Sequence, residues 1–354
     1  MKRLLVYSHD TFGIGNIRRM LAICGHLLEV IPDLSILLVT GSPIIHRLRL
    51  PESLDYIKLP GLTRIGRGEY SVRFPKADLG EAIHLRSNRI LAAVANFKPD
   101  LLLVDKKPLG VKGELTPALK YLAAELPEAK LVLILRDILD SPEAIISNWE
   151  RNGHYDAIER YYDQVLVLGE RSVFDPVAEY RFPRDVINKT IFCGYLRKNV
   201  ESQARPEIRN GQHKTVLVTA GGGQDGYHVI ENYLKGIRSD RVSASVQSLV
   251  VCGPEMPREQ MIELREQADA IPHLKFFSFT LEMESMMAAA DVVIAMAGYN
   301  TVCEILSLDK RAILIPRVRP TEEQMIRAER MSRLGLFRTI HPDELTPERL
   351  MGCL

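Results

Sequence analysis

The sequence predicts an α/β protein of two Rossmann-like, doubly wound parallel-sheet domains, and three observations carry that prediction. Short, continuously apolar runs alternate with longer amphipathic stretches: RLLVYS, IRRMLAICGHLLEVI and SILLVTG, then DLLLVD, LVLILRD and QVLVLG. Strands buried on both faces read as unbroken apolar runs, so this is the βαβ rhythm of a parallel sheet. A second series opens at KTVLVTAGGG and continues through SLVVCGPE, LKFFSFT, DVVIAMAG and RAILIPR, with helical patterns between the runs. Finally, a chain of 354 residues, 46% of them hydrophobic, exceeds what one compact core usually serves.

The two series set the boundaries: an amino-terminal domain over residues 1–197, a linker over 198–213 and a carboxy-terminal domain over 214–354. The stretch RKNVESQARPEIRNGQHK is polar, lacks periodicity and contains Pro206 and Gly211, which marks the linker. Residues 61–80, GLTRIGRGEYSVRFPKADLG, mix arginine and glycine without regular period and read as a long loop, serving either function or solvation alone.

Composition narrows the functional classes. A net charge of +1 supplies no overall field towards nucleic acid. The five cysteines, Cys24, Cys193, Cys252, Cys303 and Cys353, are scattered, odd in number and without C-x-x-C spacing, so they read as reduced thiols. The start MKRLLVYSHDTFG meets charged and polar residues too soon for a signal peptide, and no apolar run approaches a membrane span. A cytoplasmic location is expected, and hydropathy leaves open attachment at the inner face of a membrane.

Three glycine-bearing turns follow strand patterns. In SHDTFGIGNIRR, Gly13 and Gly15 precede a helix whose first backbone N–H groups suit an anion or a closely approaching ligand. A plain strand-to-helix turn would use the same glycines. TAGGGQDGYH repeats the arrangement with Gly221, Gly222, Gly223 and Gln224, yet it is neither a G-K-S/T phosphate loop nor a dinucleotide fingerprint. In AMAGYNTVCEIL the strand ends at Gly298, residues Tyr299, Asn300 and Thr301 form the turn, and Glu304 falls in the first turn of a helix from Val302.

Two readings fit that last stretch. Thr301 and Glu304, three apart, have the spacing of a capping box. Alternatively the amides with Asn300 and Thr301 hold a diphosphate, while the two Glu304 oxygens accept from two sugar hydroxyls. Further on, PRVRPTEEQMIRAERM sets Thr321 three residues before Gln324, again the spacing of a cap, and places Glu323 and Gln324 beyond a strand's carboxyl end, where ligands bind in open α/β sheets.

G-Y-N-T-x-x-E, a strand ending in proline, then E-Q opening a helix resembles the donor-binding half of GT-B glycosyltransferases of the bacterial lipid-sugar type, the undecaprenyl-linked GlcNAc transferases, and of the plant UDP-glycosyltransferase type. From YSHDTFGIGNIRR through VDKKPLGVKGEL and LRDILD to PRVRPTEEQMIRAERMSRLGL, the chain is similar to a subgroup of predicted bacterial glycosyltransferases over essentially all of residues 1–350. The resemblance implies two domains facing across a cleft, the second holding a nucleotide-diphosphate sugar, a UDP-sugar, and the first an acceptor. It assigns the ribose hydroxyls to Glu304, the diphosphate to Gly298, Tyr299, Asn300 and Thr301, and the sugar hydroxyls to Glu323 and Gln324; the loop Gly221–Gly223, bare of side chains, would let its amides wrap the same diphosphate or let the facing domain come close. Phe279 and Thr280 would offer backbone groups to the base, although their side chains equally fit core positions. Gly13, Gly15 and Asn16 fall on the acceptor side.

Two departures stand out: Met296 where plant-type relatives carry a phosphate-binding histidine, and Asn16 where many relatives have the histidine of G-x-G-H. An alcohol acceptor must lose a proton as it attacks. His9 and Asp10 are the candidate bases, His9 reading also as an ordinary strand-end histidine. Asp105 and Asp137 come second and could equally cap turns.

The expected activity is hexosyl transfer to a small-molecule, glycan or lipid-linked acceptor. A nucleotide-sugar epimerase or hydrolase, or a non-catalytic nucleotide-sugar-binding protein, remains as the alternative. The sequence contains no D-x-D and no Cys/His metal cluster, so neither a metal nor any cofactor beyond the nucleotide-sugar co-substrate is expected. GT-B chains commonly finish with a helix crossing back to the first domain, whereas HPDELTPERLMGCL offers about two helical turns.

Overall fold

The structure is a computed structural model that describes residues 2–9, 15–66, 69–72, 78–197, 213–239, 246–280 and 282–354. The chain divides into two compact units, Met1–Gly194 and Tyr195–Leu354. Of the linker read from the sequence, only His213 is among the described residues.

The strands of the first unit are β1 (Lys2–Ser8), β2 (Leu34–Thr40), β3 (Leu54–Lys58), β4 (Leu62–Gly66), β5 (Glu69–Val72), β6 (Leu101–Asp105), β7 (Lys130–Arg136), β8 (Gln164–Leu168) and β9 (Thr190–Phe192). Seven of them form one sheet in the order β3-β2-β1-β6-β7-β8-β9, with every pair parallel. The order reverses direction between β1 and β6, which makes their carboxyl ends the topological switch point. The apolar runs account for this arrangement: Leu5, Val6, Tyr7, Leu102, Val104, Leu133 and Leu135 are fully buried, as strands covered on both faces require.

Residues 61–80 correct the sequence reading of a loop, because they contain the antiparallel hairpin β4–β5. Leu62 and Tyr70 are buried and pack with Val111, and that anchorage is invisible to a search for regular period. A buried ionic group fixes the same region. Arg86, on the helix Leu79–Phe97, donates from Nε and Nη2 to Glu114 at 2.5 and 2.7 Å and from Nη1 to the Pro60 carbonyl at 2.7 Å. Tyr7 donates its hydroxyl to the same carboxylate at 2.5 Å. Burial first, and then the Glu114 charge, hold the Tyr7 phenol well above its usual range, so the proton stays on the tyrosine.

The second unit comprises β10 (Lys214–Thr219), β11 (Val246–Val251), β12 (Leu274–Phe277), β13 (Val292–Ala295), β14 (Arg311–Leu314) and β15 (Arg338–Thr339). These form one parallel sheet in the order β12-β11-β10-β13-β14-β15, with its switch point between β10 and β13. The short terminal helix Pro347–Met351 packs on the helix Tyr227–Ser239 of the same unit: Leu350 is fully buried, and a Cβ at Gly236 would lie 2.8 Å from Met351 Cγ. Among the described residues, no helix is long and apolar enough to cross a membrane.

Candidate functional site

Because every strand of the second sheet runs the same way, the turns after β10, β13 and β14 share its carboxyl edge. The switch point brings the first two together: a Cβ at Gly221, where φ is +64°, would lie 3.8 Å from Thr301 Oγ1. The three glycines do different work. Gly223, at φ +99°, is pressed against the turn after β11, and a Cβ there would lie 2.6 Å from the Cys252 carbonyl oxygen and 3.0 Å from that of Gly253. Its glycine is required by packing within the unit. Gly221 and Gln224 are exposed at the sheet edge, and Gly222 is half-buried.

The GYNT stretch corrects the sequence reading in its details. The helix begins at Tyr299 and runs to Ser307, with Gly298 as its N-cap in an extended conformation (φ −65°, ψ 141°) and no side-chain cap. Thr301 therefore lies inside the first turn, and Glu304 is a turn further along than expected, so the pair cannot make a capping box, whose Ser or Thr must precede the helix. Glu304 is buried at 3% exposure. Among the described residues, and apart from its two chain neighbours, nothing lies within 4 Å of where a Cβ at Gly298 would be, and its φ is open to any residue. Neither backbone strain nor internal packing calls for glycine at this position.

Of the two readings of the Thr321 turn, the cap is likewise absent: the helix Glu323–Arg333 has Glu322 as N-cap and no side-chain cap. Its first turn is held by a cluster instead. Glu323 pairs through Oε1 with Arg317 Nη2 at 3.3 Å and through Oε2 with Arg327 Nη1 at 3.0 Å. Arg327, fully buried, also donates to the Ala297 carbonyl at 2.7 Å and lies with its guanidinium 5.8 Å from the Tyr299 ring centre. Gln324 Oε1 accepts from the Arg317 backbone N–H at 3.3 Å, and Arg317 Nη1 reaches Asp225 at 3.0 Å. Arg317 and Arg327 were missed by sequence reasoning. Only the i,i+4 spacing of Glu323 and Arg327 signalled any part of the cluster. On the turn after β12, Phe279 is 48% exposed, which removes the core reading of its side chain, and Thr280 Oγ1 accepts from the Glu282 N–H at 3.0 Å.

The switch point of the first sheet holds a second constellation. His9, 5% exposed after β1, has Nδ1 3.6 Å from Asp105 Oδ2 at the end of β6, and its Nε2 lies 3.3 Å from Asn16 Nδ2. Arg19 joins Asp105 at 2.5 Å and Asn16 at 3.1 Å, both from the helix Gly15–Val30. Burial, followed by the charges of Lys107, Lys106, Arg19 and Arg136, holds the His9 imidazole well below its ordinary range. The Asp105 carboxylate pulls the other way but is itself engaged by Arg19, so the neutral ring prevails. Asp137 instead accepts from the Ile138 N–H at 2.7 Å, which supports its reading as a turn residue. Asp10 and Gly13 lie outside the described residues. Among the described residues, no three His, Cys, Asp or Glu side chains gather as a metal ion would need.

Two parallel-sheet α/β units with these switch points constitute the GT-B fold. Residues 215–353 match the family described as Glycosyltransferase family 28 C-terminal domain, and the chain as a whole has the fold of the GT-B glycosyltransferases. Among curated proteins, the UDP-N-acetylglucosamine-N-acetylmuramyl-(pentapeptide) pyrophosphoryl-undecaprenol N-acetylglucosamine transferase of Haemophilus influenzae (strain PittEE) is 26% identical over 175 residues, covering 49% of this chain and 48% of that protein. The protein of the same name from Halalkalibacterium halodurans is 26% identical over 275 residues, 75% of this chain and 67% of that one. The chain thus spans about half the length of the first of these relatives and about two thirds of the second. The glycotransferase of kitacinnamycin superposes with a TM-score of 0.67 at 13% identity, over 99% of this chain and 89% of its own, which is a likeness of fold.

Proposed function

We propose that this chain transfers a hexosyl group from a UDP-sugar to a lipid-linked acceptor, with the donor bound at the switch point of the second sheet. The observation that carries this reading is Gly298: a glycine needed by neither backbone nor internal packing, capping a helix without a side-chain cap, beside the glycine turn after β10. A diphosphate lying against that helix start explains both features, because its oxygens approach closely and meet the helix amides. Those amides stabilise the charge that grows on the leaving diphosphate as the glycosidic bond breaks. Glu304 accepts from the ribose hydroxyls, Gln324 contributes to the sugar subsite, and Phe279 lies against the base.

In the same reading His9 removes the acceptor's proton, and Asp105 orients the ring and stabilises the imidazolium that forms. The UDP-sugar and the lipid-linked acceptor are supported by the names of the curated relatives, whose donor is UDP-N-acetylglucosamine and whose acceptor is a pyrophosphoryl-undecaprenol. The cations around His9 fit an acceptor bearing negative charge. Work at a membrane face follows from such an acceptor. Catalysis proceeds without a resident metal or further cofactor.

Purified protein incubated with labelled UDP-N-acetylglucosamine, with and without polyprenyl-diphosphate-linked sugar, tests this proposal. Label moving to the lipid only when the acceptor is present is the expected result, and it persists in EDTA. An altered or hydrolysed sugar nucleotide without acceptor points to an epimerase or hydrolase. Donor that is bound but unchanged under both conditions points to a binding protein.

A further inference from the structure

We propose that Arg317 is the side-chain cation that meets the donor's diphosphate, standing in for the charge that position 296 does not supply. The inference rests on the donor-site reading above and assigns within it a residue that neither the glycine turns nor the GYNT stretch contains. Met296, 8% exposed, is part of the second unit's apolar core, so no charge reaches the diphosphate from there. Helix amides carry only partial charge, roughly half a unit at a helix start. A leaving group with two or more negative charges calls for a cation as well.

Arg317 has the position for it. It follows β14, yet its Nη1 pairs with Asp225 in the turn after β10, while in the sheet β13 lies between those two strands. Neighbouring strands are about 4.8 Å apart, so a side chain joining the turns on either side passes over the carboxyl end of β13, where Gly298 caps its helix. Nη2 pairs with Glu323, whose other oxygen is joined to Arg327 and through it to the Ala297 carbonyl, one residue before Gly298. Arg317 Nε is buried and has no hydrogen-bond partner among the described residues. The Nε–H of a phosphate-matching fork is thus left over, on a side chain that is 22% exposed.

The Asp225 pair is the weaker of its attachments, since that carboxylate is 38% exposed and exposed pairs contribute little. A diphosphate competes with Asp225 for the same guanidinium. Removing the arginine and removing its competitor therefore have opposite effects on the diphosphate while leaving the nucleoside contacts alone.

The test is calorimetric titration of wild type, Arg317→Met, Arg317→Lys and Asp225→Asn with UDP and with UMP, alongside thermal unfolding of each variant. Arg317→Met is expected to lower the affinity for UDP at least tenfold with a much smaller change for UMP. Arg317→Lys should recover part of that loss, and Asp225→Asn should bind UDP more tightly than wild type. A folded Arg317→Met protein that keeps the wild-type preference for UDP over UMP overturns the proposal. Should that variant fail to fold, Asp225→Asn decides: UDP affinity that is unchanged or lower also overturns it. Wild type that binds neither nucleotide removes the donor-site reading itself, and this inference with it.

Discussion

Replacing His9 by glutamine is expected to lower the rate of sugar transfer by about 10²- to 10⁴-fold, the usual contribution of a positioned base, while leaving nucleotide affinity unchanged. Glutamine keeps a polar side chain beside Asn16 and Asp105 but cannot take a proton from the acceptor. Single-turnover measurements with saturating donor separate this loss of chemistry from a loss of binding. Transfer in the variant within a few-fold of wild type would return His9 to an ordinary strand-end residue.

The pH dependence follows from the same surroundings. His9 is held well below the ordinary imidazole range by burial and by Lys107, Lys106, Arg19 and Arg136, so it remains an unprotonated base at pH values where an exposed histidine is already charged. In kcat/KM, the acid limb assigned to this residue is expected well below pH 6.5 and should vanish in the glutamine variant. The linked effect on stability has a definite sign. The unfolded chain protonates His9 near pH 6.5 and the folded chain resists it, so stability is fully present above 6.5 and declines as pH falls below that value.

The largest expected effect on stability comes from Arg86→Met. The Arg86 and Glu114 side chains are both fully buried, so removing the cation strands a carboxylate that retains only the Tyr7 hydroxyl among these partners. Breaking a buried pair in this way costs about 3–5 kcal/mol, whereas exchanging both members for apolar residues of similar volume costs far less. Arg86→Met combined with Glu114→Leu should therefore regain much of the loss, less about 1–3 kcal/mol for the stranded Tyr7 hydroxyl. Trp149, the single tryptophan, is 3% exposed within the first unit and reports that unit's unfolding by fluorescence in urea. A double variant no more stable than Arg86→Met would show that packing, not charge, dominates at this site.

The sheets were legible in the sequence because strands covered on both faces are written as unbroken apolar runs, and the main runs identified do form parallel strands. β3 and β9 left no such trace, since LDYIK and TIF at the sheet margins are only partly buried. The hairpin β4–β5 escaped for a related reason: Leu62 and Tyr70 are anchored by Val111, some forty residues away in the chain. Within the second unit, the glycine and GYNT turns were readable as turns, and the fold brings them together. Their internal assignments were not, because residue spacing alone cannot distinguish a glycine N-cap at 298 from a threonine cap at 301. The Arg317, Glu323 and Arg327 cluster joins three turns, and no local pattern announces contacts of that kind.

In the proposed function the second unit binds the nucleotide of a sugar donor through the turn that begins at Gly298. Calorimetric titration of wild type and Glu304→Gln with the diphosphates of uridine, thymidine, guanosine and adenosine checks this. Selective binding of the uridine nucleotide, weakened at least tenfold in a Glu304→Gln protein of unchanged fold, is the predicted result. Binding of none of the four, or binding indifferent to Glu304, would contradict it.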